Sequence, residues 1–214
     1  MFKPVRWQTF ARDMLVIQIG YALFGISLAL TIRGNLGTGA WSVFEVALAQ
    51  IFHITPGTMT VIDGFIVLIF AMLLREQIGW GTLANILSIG PWEDFFLWLI
   101  PSIKGNLPLQ IAMLLASIVI QGIASAIYIG VNAGAGPRDS LMLAIHRTTR
   151  FSVGLARGVI ESSIFLLGWI LGGPAGIGTL VFTLLIGPAV HWSFRIFKVH
   201  PHSPVKIESE AVAD

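Results

Sequence analysis

The chain has 214 residues, 55% of them hydrophobic and only 11% charged, with a formal net charge of +2. Soluble domains carry about a quarter charged residues, so a soluble enzyme, a disordered tail protein and a nucleic-acid binder are excluded. Continuous apolar runs near twenty residues, instead of the shorter alternating segments of a β-barrel, leave an all-α polytopic membrane protein, and the lack of cysteine removes disulfides and thiolate chemistry.

Residues 1–13 form a basic leader with Lys3, Arg6 and Arg12. The apolar run behind it is too long for a signal peptide, which predicts a retained first span. Six runs are long enough to cross a bilayer: 14–32, 57–74, 80–100, 108–131, 153–171 and 176–197. A short connection, 101–107, divides them three and three, and the polar tail 198–214 is expected to be disordered. Two further pieces, Trp41–Phe52 and Ser140–Thr149, read as helices. At 1.5 Å per residue they reach about 15–18 Å, half of the roughly 30 Å hydrocarbon core. Each follows a glycine-rich turn, Gly34 to Gly39 or Asn132 to Pro137, with Ser42 and Asp139 at the expected N-caps. They read as half-helices entered through irregular backbone.

The two membrane segments, 14–100 and 108–197, repeat one another. Residues 20–96 slide onto 117–193 without a gap, and about 18 of about 77 positions agree. Gly37 meets Gly134, Gly39 meets Gly136, and Gly57 meets Gly154. Gly79-x-Gly81-Thr82-Leu83 meets Gly176-x-Gly178-Thr179-Leu180, and Ile89-Gly90-Pro91 meets Ile186-Gly187-Pro188. Three spans per copy force the second copy to enter from the opposite face, an inverted 3+3 repeat. With the N- and C-termini in the cytoplasm, the inner face holds most of the basic residues, including Arg75, Arg138, Arg147, Arg150 and Arg195. The outer face holds Arg33 and Lys104, a positive-inside pattern. The rival arrangement is eight full crossings with parallel copies, which moves Arg75 and Arg138 outside and fits the charges slightly less well.

The segment Gly134-x-Gly136-Pro137-x-Asp139, the Gly172-Gly173-Pro174-x-Gly176-x-Gly178-Thr179 turn and the Gly187-Pro188 step resemble the YczE/YyaS/YitT family of bacterial integral membrane proteins, over about residues 14–195. The first half departs from the pattern, with Ala40 in place of proline and Ser42 in place of aspartate. The resemblance implies a multi-pass protein of the bacterial cytoplasmic membrane and no particular activity.

Chemistry must then come from the residues. Broken backbone at membrane depth survives only inside protein or beside a cavity. Half-helix N-termini there offer free amides and partial positive charge. Gly37, Gly39, Ser42, Gly134, Gly136 and Asp139 are therefore the candidate binding residues for a small polar or anionic solute. Ionisable groups inside spans need a partner or a purpose: Asp63, without a local partner, and Arg157 and Glu161, four apart on one helix face. Gly90-Pro91 is expected to interrupt the third span, putting Asp94 past one kink and His191 past its counterpart as a proton-coupling pair. No cysteine, nucleophile elbow or His-Glu-x-x-His motif is present, so no enzyme is expected; His200-Pro201-His202 lacks a further ligand set, so neither metal nor cofactor is expected. These readings point to a secondary transporter or exporter, built as an inverted repeat and working alone, as a homodimer or with a partner subunit. The alternative is a non-transporting binding or assembly subunit.

Overall fold

A computed structural model describes residues 7–199 apart from Gln77, Ala135 and Arg150. The expectations for residues 1–6 and for the tail from 200 onward, including both termini, lie outside the described residues. Those described form eight helices: α1 (Phe10–Gly34), α2 (Ala40–Phe52), α3 (Pro56–Leu73), α4 (Trp80–Leu99), α5 (Leu107–Gly130), α6 (Pro137–Thr149), α7 (Val153–Ile170) and α8 (Ile177–Ile196). Four of them, α1, α3, α5 and α8, are long and apolar enough to cross a membrane. Helices α4 and α7 reach 20 and 18 residues but carry Glu93 and Asp94, and Arg157 and Glu161. Helices α2 and α6, with 13 residues each, reach about 20 Å and fall short of the bilayer core.

The sequence duplication is matched by the backbone. Helix lengths run 25, 13, 18, 20 and then 24, 13, 18, 20. The left-handed positions recur 97 residues apart: Asn35 with Asn132, Gly37 with Gly134, Arg75 with Gly172. Caps recur as well. Thr55 accepts from the Thr58 amide to start α3, and Ser152 accepts from the Leu155 amide to start α7. Thr82 and Thr179 each accept from a glycine amide, Gly79 or Gly176, at the head of α4 or α8.

Helices α1 and α5 run antiparallel at the centre: Gly20 faces Tyr128, Ser27 donates to the Ser117 carbonyl, and Gly34 faces Gln110 and Met113. Helix α4 follows α1 in parallel, tied by Gln18 to Ser88 at 2.8 Å and by Arg33 to the Leu97 carbonyl. Helix α8 follows α5 in the same sense, with Gly122 against Ala189 and Ser193. The two glycine turns are each completed by the other half. The Gly81 amide donates to the Ala133 carbonyl at 3.0 Å and the Gly178 amide to the Leu36 carbonyl at 2.7 Å. Gly37 and Gly134, both at positive φ, lie so close to Gly176 and Gly79 that any side chain would meet backbone.

One pair of contacts breaks the correspondence. Helix α3 packs along α4, whereas the equivalent helices α7 and α8 scarcely touch. Two expectations are also corrected. Helix α4 runs through Gly90 and Pro91 without a break, as does α8 through Pro188, with the Pro91 ring on the exposed side of α4 so that its bulk forces no neighbouring helix aside. Helix α2 starts at Ala40 and α6 at Pro137, so Ser42 and Asp139 are first-turn residues and not caps. Gly39 in extended backbone ends the first turn early, and Pro137 has φ preset for a helix start.

Candidate functional site

Between the halves lies a cavity of about 200 Å³ to which all eight helices contribute. Its walls obey the same 97-residue correspondence: Ala40 and Pro137, Trp41 and Arg138, Ser42 and Asp139, Thr60 and Arg157, Ile89 and Ile186. The isoleucine pair is kept, but Arg138, Asp139 and Arg157 in the second half stand where the first has the uncharged Trp41, Ser42 and Thr60, so the charge on the wall is unevenly shared.

Of the residues the sequence singled out, Gly39, Ser42, Gly136, Asp139, Arg157 and Glu161 line this cavity. Gly37 and Gly134 do not; they are the interlocks that hold the turns together. Arg157 Nε donates to Glu161 at 2.8 Å across one helical turn, as the spacing predicts. Asp139 accepts a long hydrogen bond, 3.5 Å, from the Tyr128 hydroxyl.

Asp63 has a partner that the sequence did not reveal. Arg138, from the first turn of α6, pairs with Glu45 of α2 and lies 3.6 Å from Asp63 of α3. Its guanidinium covers the Trp41 ring, 4.5 Å from the centroid. Glu45 is 1% exposed and Asp63 5%, so this is a buried group in which two carboxylates share one cation. Glu93, also 1% exposed, is held by Thr60 Oγ1 at 2.8 Å on the α3–α4 side. Oε2 of Glu45 is buried without a hydrogen bond among the described residues. Arg138 is therefore corrected from a cytoplasmic surface charge to an interior one. It follows a turn that brings α6 alongside the middle of α3, whereas Arg147 at the other end of α6 reaches Glu76 and the Leu74 carbonyl.

The Asp94–His191 pair is not brought together. Asp94 accepts from the Thr55 hydroxyl and, at 2.9 Å, from the Gly57 amide, so it clasps the start of α3 onto α4. His191 is exposed on α8, because the α7 end that would meet it stands away.

Sequence reasoning missed Glu45, and a signal existed: it is the one charged residue in a largely apolar α2, and a lone carboxylate in such a segment marks an interior partner. Tyr128 carried no comparable mark within an apolar run.

Comparison with known proteins agrees with the helical membrane architecture. Residues 11–195 match a family of unknown function, DUF6198. The chain is 32% identical over 193 residues to the uncharacterized membrane protein YczE of Bacillus subtilis, covering 88% of this chain and 85% of that one. It is 29% identical over 201 residues to an uncharacterized protein of Haemophilus influenzae, covering 92% and 90%. It is 26% identical over 185 residues to the uncharacterized protein YyaS of Bacillus subtilis, covering 85% and 92%. No solved structure matches significantly. The chain therefore belongs to the DUF6198 family and is a membrane protein related to YczE and YyaS.

Proposed function

We propose that the protein is a secondary transporter of a small polar solute in the bacterial cytoplasmic membrane, with two halves related as an inverted 3+3 repeat and α2 and α6 as half-helices. Opposed runs of α1 and α5, and reciprocal closure of each glycine turn by the other half, support the inversion. One observation carries the transport reading: around a cavity shared by both halves, the α3–α4 seam is shut and its counterpart α7–α8 is open.

In an inverted repeat, equivalent seams lie toward opposite faces of the membrane. One shut and one open gives access from a single side, and exchanging the two conformations gives access from the other. With the N-terminus in the cytoplasm, the open seam faces inward.

The positions for a test are chosen by the repeat. A side chain at Gly90 would meet Val61 and the Gly57 backbone, whereas their counterparts Gly187 and Gly158 have nothing within 4 Å. The chain lacks cysteine, so Gly158→Cys/Gly187→Cys provides one unambiguous pair. During solute counterflow in proteoliposomes, a short thiol cross-linker is expected to capture this pair and stop flux. Absence of counterflow for cationic, anionic and neutral solutes alike, in monodisperse protein whose pair never cross-links, overturns the proposal.

A further inference from the structure

The cavity's charge and lining identify the class of solute. Five carboxylates, Glu45, Asp63, Glu93, Asp139 and Glu161, stand at or just behind its wall, against two guanidiniums, Arg138 and Arg157. Fully ionised, they leave an excess of three negative charges. The N-terminal ends of α2 and α6 together return about one positive charge, so the excess stands, and in a bilayer it must be met by protons or by a bound cation.

Both guanidiniums have carboxylate partners, Arg157 through its Nε alone. Arg138 is held by Glu45 and Asp63, and Arg157 by Glu161. Asp139 is different. Arg157 and Arg138 are the cations that face it, yet among the described residues it forms no ion pair within 4.0 Å, and its one side-chain hydrogen bond is to Tyr128. The same cavity is lined by the aromatic residues Phe24, Tyr128 and Phe182, of which Tyr128 touches Asp139, and by Trp41, whose ring Arg138 already covers. Aromatic faces bind cations through their quadrupoles, and sets of them select alkylated ammonium groups. Among the described residues no three His, Asp or Glu side chains are placed to hold a metal ion, which turns the site away from inorganic divalent cations.

We infer that the cavity binds a small organic cation, an alkylated or quaternary ammonium compound, with its charge against Asp139 and its alkyl groups against Phe24, Tyr128 and Phe182. The inference rests on the shared cavity of the transport reading and names what occupies it. An anionic solute would meet the excess negative charge. The carboxylates behind the wall are the groups that would take up protons when the organic cation leaves.

Binding of radiolabelled choline and tetramethylammonium to the full-length protein in detergent tests this, with 3,3-dimethylbutan-1-ol as the neutral shape analogue of choline and acetate as the anion. Both cations are expected to bind, the neutral analogue about tenfold or more weakly, and acetate not at all. Asp139→Asn is expected to lose at least about tenfold in cation affinity, the scale of one charged contact. In unaltered protein, carbodiimide modification of Asp139, read by mass spectrometry, is expected to be slowed by choline, which keeps the test independent of how the variant folds. The inference is overturned if neither cation binds at millimolar concentration, if the neutral analogue binds equally well, or if choline leaves the modification of Asp139 unchanged. Counterflow of an anion or a neutral solute without cation binding would sink this inference and leave the transport reading standing; cation binding without any flux would do the reverse.

Discussion

The α3–α4 and α7–α8 seams are built from the same duplicated sequence and reach opposite outcomes. In the first, Gly57 and Gly90 bring two backbones together, Thr60 donates to Glu93, and Asp94 clasps Thr55 and the Gly57 amide. In the second, glycine is kept at Gly154 and Gly187, while the polar clasps are replaced: Arg157 stands for Thr60, Val190 for Glu93 and His191 for Asp94. The difference teaches that permission to pack and the bonds that hold a packed seam are separate. Glycine gives both seams room for close approach, and among the described residues the first half alone carries side-chain hydrogen bonds that hold its seam closed.

Paired substitutions sharpen this contrast, and the largest effect is steric. Gly90→Val would drive methyl groups into the Gly57 backbone and is expected to cost about 3 kcal/mol or more, whereas Gly187→Val enters open space and should leave thermal stability in detergent nearly unchanged. Similar losses for both would show that the α7–α8 seam is closed in the membrane protein as well. Next comes Thr60→Val, which removes the donor from a buried carboxylate and should cost about 1–3 kcal/mol; Arg157→Leu at the equivalent position breaks an exposed pair and should cost less than about 1 kcal/mol. The smallest contrast is Asp94→Asn, which weakens the clasp on the start of α3 by about 1 kcal/mol, against His191→Asn, where no change in denaturation midpoint is expected.

Much of the architecture was legible in the sequence because glycine and hydropathy are local signals. The ungapped alignment, the two half-length helices and the glycine turns all recur in the structure, and Gly37 and Gly134 do adopt the positive φ that only glycine accepts readily. The Arg157–Glu161 pair was legible for the same reason, since four residues along a helix fix a shared face. The interior charge group was not. Arg138 looks like a topology marker until α6 is known to lie along α3, and its partner Glu45 is 93 residues away. Asp94 and His191 were paired on the strength of register alone, and register does not say whether two seams adopt the same state. Ser42 and Asp139 were shifted by one turn, because Gly39 and Pro137 start the helices earlier than side-chain capping would.

The reciprocal closure of the glycine turns has a consequence for biogenesis. Leu36 waits for Gly178, and Ala133 accepts from Gly81, so the amino-terminal portion leaves the ribosome with its glycine turn unfinished. That turn can settle only after nearly the whole chain has been inserted. Severed within the 101–106 connection, the two fragments should each be unstable when made singly and recover when made together.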